Sequence, residues 1–332
     1  MRAKVAIVGV TGYGGAEAAR LLLRRDDIEI IAATSSRLAG KALREGCAWL
    51  DSDLVLSEFD PNVDADVFLL CQESGFAMAH APELVAKGKR VIDFSADFRL
   101  SDREAFQTYY KKEHTAWDTK GVYGLPELGD RDEIASANLV ANPGCHVTAA
   151  ALVLAPLVEA GVVNGIPVVD SKSGVSGAGR ARKESDYLFS ELDGGFKAYA
   201  VVGHRHTPEL EQVVGTMVRF TPHLVPMVRG IHSTIYAPVS AGSQEEIRAI
   251  LAEKYRNEPF VRLVEAPPST KQVLGTNRCD LWADFDPRTG HAILISVLDN
   301  LGKGAAHQAI QSMNLMLGIP ETTGLTVDAI WP

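Results

Sequence analysis

Four glycines within seven residues, Gly9-Val10-Thr11-Gly12-Tyr13-Gly14-Gly15, separate the wholly apolar run Val5-Ala6-Ile7-Val8 from a helical pattern over residues 15–25. This passage constrains the fold more than any other. An apolar run without alternation fits a strand buried on both faces, the setting of a parallel sheet covered by crossover helices. The pattern recurs downstream. Residues 4–10, 29–34, 66–71, 90–94 and 139–141 read as strands, and residues 15–25 and 81–87 as helices. The order predicts an α/β, Rossmann-type doubly wound parallel sheet.

After Thr148 an Ala/Leu/Val-rich helix runs to about residue 159, closed by Gly161, and a strand follows at 167–170. The pattern then changes. Strands at 219–225 and 230–239, a helix at 244–255, and a hairpin of 280–285 with 292–298 around Asp286-Pro287-Arg288-Thr289-Gly290 predict a second α+β domain on a mixed sheet. A final helix, about 304–317, is rich in small residues and suited to return to the first domain. At about 100–200 residues per domain, 332 residues allow two. The expected division is 1–145 plus about 301–332 for the cofactor, and 146–300 for catalysis, substrate and association of copies.

Thirty-three basic against 42 acidic residues give a net charge of -9, which excludes a broad nucleic-acid surface. No apolar run reaches the roughly 18 residues of a membrane span, so a cytoplasmic protein is expected, with neither nucleic acid nor membrane as partner. Cys47, Cys71, Cys145 and Cys279 are scattered without a Cys-x-x-Cys pair, which argues against a disulfide framework and a metal cluster.

The Gly-x-x-Gly-x-x-Gly loop follows a strand and opens a helix, where glycines let helix N-terminal amides approach a pyrophosphate. Gly9, Thr11, Gly12, Tyr13, Gly14 and Gly15 are therefore cofactor candidates, a plain structural turn being the alternative. An acidic residue at the end of the second strand would select NAD. Ser35, Ser36 and Arg37 stand there instead, and Glu29 lies at the strand's start, so NADP(H) is expected. The plainer reading of that segment is a solvated turn.

Asn142-Pro143-Gly144-Cys145 ends a strand and sets a thiol at a helix N-terminus, where the dipole favours thiolate. Cys145 is the candidate nucleophile, against the alternative of a small buried side chain. His204-Arg205-His206-Thr207-Pro208-Glu209 supplies two histidines two positions apart, which face the same way in an extended segment, followed by an N-cap threonine, a first-turn proline and an early acid. His146 is a rival base. Residues 171–180 form a second glycine-rich loop, expected before a helix, offering amides, hydroxyls and the Arg180 guanidinium to an anion or a nicotinamide amide. Ser173, Gly174, Ser176 and Gly177 belong to it.

Seven motifs in order carry a resemblance over essentially the whole chain: Gly9 to Tyr13, Ile92 to Leu100, Tyr123 to Glu127, Asn142 to Cys145, Ser173 to Arg180, His204 to Glu209, and Asp299 to Ala306. With these the chain resembles the N-acetyl-gamma-glutamyl-phosphate reductase family of the semialdehyde dehydrogenase superfamily. The resemblance implies NADPH-dependent reduction of an N-acetylglutamyl 5-phosphate to its semialdehyde with release of inorganic phosphate. It further implies Cys145 as nucleophile, His204 ahead of His206 as acid/base, Arg99 and Asn142 near the acyl phosphate, Asn300 near the nicotinamide, and a homotetramer or homodimer. Arg180 and Glu209 are expected at the substrate side. Two segments depart from the family pattern: Cys71-Gln72-Glu73-Ser74-Gly75 replaces Pro-His-Gly, and His146-Val147 follows the cysteine.

The physical account is covalent catalysis, in which a thioester on the cysteine accepts hydride and a histidine assists collapse to the aldehyde. The same chemistry on an aminoadipyl or aspartyl phosphate is the near alternative. An NADPH-binding redox sensor is the alternative without catalysis.

Overall fold

The structure, a computed structural model, describes residues 2–182 and 184–330. In the first part strands and helices alternate: β1 (Ala3–Val8), α1 (Tyr13–Leu22), β2 (Ile28–Thr34), α2 (Leu43–Gly46), β3 (Val67–Leu70), α3 (Phe76–Ala86), β4 (Arg90–Asp93), α4 (Arg103–Tyr110), β5 (Val122–Tyr123), α5 (Arg131–Ser136) and β6 (Leu139–Ala141). Then come α6 (Cys145–Glu159), β7 (Val168–Ser173), α7 (Phe189–Leu192), β8 (Lys197–Ala198), α8 (Thr207–Val214), β9 (Arg219–Leu224) and β10 (Ile231–Pro238). The last elements are α9 (Gln244–Lys254), β11 (Val261–Leu263), β12 (Cys279–Asp286), β13 (His291–Leu298) and α10 (His307–Met316).

The chain divides into two compact units. The first holds the residues up to Pro143, Gly179–Ala181 and Ala305–Leu325; the second holds Gly144–Ala178, Arg182–Gly304 and the residues from Thr326 onward. This differs from the expected division in four places, the first being that Gly179–Ala181 joins the first unit. The cut precedes Cys145, because that residue opens α6 and α6 packs on the second sheet. Residues 301–304 go with the second unit as well. From Thr326 the chain returns there, held by Asn277 N–H to Thr326 O at 3.0 Å and Ile330 N–H to Leu274 O at 3.1 Å.

In the first unit the strand order is β2-β1-β3-β4-β6-β5, every neighbour parallel. Alternate residues of each strand enter different cores. Val5, Ile7, Val67, Leu69, Ile92 and Val140 join side chains of α1 and α10 on one face. Ala6, Val8, Phe68, Leu70, Val91 and Leu139 join α3 and Phe106 of α4 on the other. Both faces are dry, which is why the strands carry no polar alternation. Each large side chain so buried contributes about 1.5–3 kcal/mol of transfer free energy.

The second unit has a seven-stranded mixed sheet, β11-β12-β13-β10-β7-β9-β8, with parallel pairs β11·β12 and β7·β9 and the rest antiparallel. Burial alternates along β7 and β10. One face, with Val169, Ser171, Ile231, Ser233 and Ile235, is buried beneath a layer that includes α6. The other carries half-buried Asp170, Lys172, His232 and Thr234 and exposed Tyr236. α6 is buried almost all round, so it reads as apolar throughout rather than as an amphipathic stripe.

Candidate active site

The glycine loop belongs to the first unit and leads from β1 into α1. Gly9 has φ +84°, and a Cβ there would fall 2.6 Å from Cys71 O and 2.9 Å from Gln72 Nε2, so only glycine fits. At Gly15 a Cβ would lie 2.5 Å from Gly9 O, which lets α1 start directly against the strand. Thr34 clamps the loop from β2, its carbonyl accepting Val10 N–H at 3.1 Å and its hydroxyl accepting Gly9 N–H at 3.2 Å. No side chain caps α1. An uncapped helix start behind a tight glycine turn fits a dinucleotide pyrophosphate. Tyr13 and Gly14 form the first turn of α1, not the loop before it.

Beyond β2, Ser35 is buried and its Oγ lies 3.2 Å from Thr11 Oγ1, while Ser36 and Arg37 are exposed. No acidic side chain stands at this strand end, and Arg37 has no hydrogen bond or ion pair among the described residues. The donor set suits a 2′-phosphate. Arg180, expected at the substrate, is instead grouped with this first unit.

Cys71 to Gly75, the departure from the family pattern, has a structural role. Asp97 accepts from Gly75 N–H and Met78 N–H at 2.9 and 3.0 Å and from Ser74 Oγ at 2.6 Å, capping α3 with a carboxylate. That helix start is therefore closed to an anion. Burial, reinforced by Asp93, pushes the Cys71 thiol up and leaves it inert. Asp93, held by Ser95 N–H and hydroxyl, is itself pushed up to about 7 by burial and then by Asp97. Arg99 gives Nε to Asn142 O at 2.7 Å and Nη2 to Phe94 O at 2.9 Å, tying the carboxyl ends of β4 and β6. Asn142 donates Nδ2–H to Ala305 O at 3.1 Å, and its buried Oδ1 has no partner among the described residues.

In the second unit Cys145 is the first residue of α6, partly exposed, with Gly144 as an N-cap that has no side chain to offer. Glu209, fully buried in the first turn of α8, accepts Gly144 N–H at 2.8 Å. A Cβ on Gly144 would sit 2.7 Å from His206 Nε2 and 3.0 Å from Glu209 Oε2. The His206 ring thus lies against the Cα that precedes the nucleophile. Glu209, expected near the substrate, anchors this backbone.

The histidine segment is a turn rather than the extended stretch expected, and α8 starts one residue away from the sequence reading: His206 is the N-cap in αR conformation and Thr207 already helical. His204 still meets His206, ring centroids 4.8 Å apart, because its Nδ1 accepts His206 N–H at 3.0 Å. Burial lowers His204 to about 3, with His146 and Arg205 adding to the effect. His146 is buried beneath them, Nδ1 2.7 Å from Ser171 Oγ and Nε2 3.3 Å from Tyr199 OH, and Ser171 Oγ continues to Ser233 Oγ at 2.7 Å. Burial holds His146 at about 4. It packs as a neutral ring, and Tyr199 joins the cluster unforeseen; its spacing from the histidines gave no periodic signal.

The second glycine segment differs from expectation. It forms a 3₁₀ turn, Val175–Ala178, with no α-helix directly after it. Its amides are already used: Gly174 N–H on Gly230 O, Val175 N–H on Met227 O, Ser176 N–H on Val228 O and Gly177 N–H on Gly174 O. Ser173 donates its hydroxyl to Gly174 O, and Ser176 Oγ accepts Asn300 Nδ2–H at 2.9 Å. Asn300 Oδ1 takes Gly230 N–H at 2.7 Å, so this residue holds the turn in shape. Among the described residues no group of histidine, cysteine and acidic side chains suits a metal, and no helix is long and apolar enough to cross a membrane.

The family profile described as semialdehyde dehydrogenase, NAD binding domain, matches residues 4–137, and the one described as semialdehyde dehydrogenase, dimerisation domain, matches residues 145–300. N-acetyl-gamma-glutamyl-phosphate reductase of Pelotomaculum thermopropionicum is 44% identical over 349 residues, covering 100% of both chains. The protein of the same name from Symbiobacterium thermophilum is 47% identical over 342 residues, covering 98% of each. Among solved structures, aspartate semialdehyde dehydrogenase II of Vibrio cholerae superposes with a TM-score of 0.73 at 19% identity, over 96% of this chain and 99% of that one. Aspartate semialdehyde dehydrogenase with NADP from Candida albicans gives 0.68 at 17% identity, over 96% and 99%. At such identities the structural likeness speaks for the fold.

Proposed function

The chain belongs to the N-acetyl-gamma-glutamyl-phosphate reductase family of semialdehyde dehydrogenases, and from that membership we infer an NADPH-dependent reductase of N-acetyl-γ-glutamyl phosphate in arginine biosynthesis. The observation that carries the residue-level reading is a thiol at the first position of a buried helix, its preceding backbone fixed by Glu209 and faced by His206.

Cys145 acts as nucleophile. The α6 N-terminus stabilises the thiolate, which attacks the acyl carbon; the bond from that carbon to the phosphate oxygen breaks, leaving a thioester and inorganic phosphate. Bound NADPH supplies the hydride that reduces this thioester. His206 donates a proton to the developing oxygen and takes it back as the aldehyde leaves and the thiolate re-forms. Geometry favours His206 over His204, reversing the order implied by the family pattern, because Nε2 of His206 lies against Gly144 while Nδ1 of His204 is committed to the backbone. Glu209 keeps Gly144 N–H occupied, so that amide is not an oxyanion donor. Asn142, with its unpartnered Oδ1, and Arg99 serve the substrate side. The glycine loop, Ser35, Ser36 and Arg37 hold the cofactor.

Copies of the chain associate through the half-exposed face of the second sheet, a reading supported by the dimerisation profile over residues 145–300. We place the enzyme in the cytoplasm, in line with its four free cysteines. The test of the chemistry is Cys145→Ser: NADPH oxidation with the acyl phosphate should vanish while NADPH still binds with unchanged affinity. Substantial remaining turnover would remove Cys145 from the mechanism.

A further inference from the structure

Arg180 follows the second glycine segment in sequence, yet it is grouped with the first unit. Its Nη1 donates to Thr11 O at 3.0 Å and to Gly46 O at 2.8 Å, and its guanidinium lies 5.0 Å from the centroid of the Trp49 ring. These contacts fix the guanidinium without neutralising it. No carboxylate pairs with Arg180 among the described residues, and the neighbouring Cys47 stays a neutral thiol because burial raises its pKa against the pull of Arg180.

The position of this charge indicates what it meets. Thr11, whose carbonyl Arg180 holds, has its hydroxyl 3.2 Å from Ser35 Oγ, and Ser35 directly follows β2. The end of the second strand is where a Rossmann sheet receives the adenosine ribose and whatever its 2′ position carries. A neutral 2′-hydroxyl gains little from a fixed guanidinium; a phosphate dianion gains charge-assisted hydrogen bonds.

Resting on the reading that the cofactor is NADPH, we propose that Arg180 is a recognition residue for the 2′-phosphate, working with Arg37, and that Trp49 is the platform holding its guanidinium. The two cations are complementary. Arg37 is exposed and uncommitted, so it must be ordered on binding, whereas Arg180 is already oriented by two carbonyls and an aromatic ring, which lowers the entropy lost.

The experiment is calorimetric titration of the full chain with 2′,5′-ADP and with 5′-AMP, probes that differ only at the 2′ position. The wild type should prefer 2′,5′-ADP. Arg180→Met keeps an apolar stem against Trp49 and should raise the Kd for 2′,5′-ADP by about 10-fold or more, with about 2-fold or less for 5′-AMP. Trp49→Leu should act in the same direction by a smaller factor. An unchanged preference in Arg180→Met, or equal weakening of both probes, would overturn the role of Arg180 while leaving the NADPH reading intact. Equal affinity of the wild type for both probes would overturn both.

Discussion

His204 accepts the backbone N–H of His206 through Nδ1, which fixes its proton on Nε2, and burial holds it neutral to about pH 3. On the proposed reading, His204 orients its neighbour and His206 exchanges the proton. His206→Asn should therefore lower kcat by about 10²–10⁴-fold, the usual worth of general acid–base catalysis, with NADPH affinity retained. His204→Asn keeps an acceptor for the same N–H and should lose less. Steady-state kinetics of the two variants side by side check this, and an equal or greater loss in His204→Asn would restore the order implied by the family pattern. The pair was legible in the sequence as two nearby histidines. Their difference was not, because it depends on a turn at His206 that brings a backbone N–H onto one ring.

At the scale of elements, α6 and α8 meet through Gly144. A Cβ at this position would strike the side-chain ends of His206 and Glu209 and not backbone. Gly144→Ala should consequently fold and melt close to the wild type while kcat drops about 10²-fold, since displacement of reacting groups by about 1 Å costs that much. Melting curves beside kinetics would separate the two effects; a large loss of stability with normal turnover of the remaining folded protein would contradict the argument. β1, β2, β4, β6, α6, α9 and the β12–β13 hairpin stood close to their expected bounds because long apolar runs and turn residues announce them. β5 and β8 have two residues each and no pattern of their own. α4 and α5 are short, and their sequence signal is the cap alone: Asp102 and Asp130 accept from Glu104 N–H and Asp132 N–H.

For the whole molecule, three buried groups set opposite pH responses. His146 and His204 are lowered to about 4 and about 3, below their ordinary 6.5, so below pH 6.5 the unfolded chain takes up protons that the folded chain refuses. Their contribution to stability is whole above pH 6.5 and is lost as pH falls toward 4. Asp93, raised from 3.8 to about 7, works the other way: its contribution is whole below pH 3.8 and is lost as pH rises to 7. From these three groups, two histidine protons outweigh one carboxyl proton between pH 6.5 and 4, giving a net loss of about 1.4 kcal/mol per pH unit on acidification. Asp93→Asn removes the opposing group and should steepen that loss. Denaturant unfolding at pH 6.5, 5.5 and 4.5 tests it, and a flat or inverted profile in the variant would refute the assignment.

The sequence by itself determined the parallel sheet, the glycine loop, the NADP-type strand end, the position of the thiol at a helix start and the family, since each is a local pattern of burial period, turn chemistry or motif spacing. Tertiary structure decided the rest. It gave Arg180 to the cofactor's unit, committed the amides of the second glycine loop, made Glu209 a backbone anchor, tied His204 to the backbone of His206 and moved the division of the chain ahead of Cys145. The reason is the same in each instance: an arginine, an amide or an imidazole has a role only once its hydrogen-bond partner is known, and partners up to 169 residues apart in the chain are matched by packing rather than by local pattern.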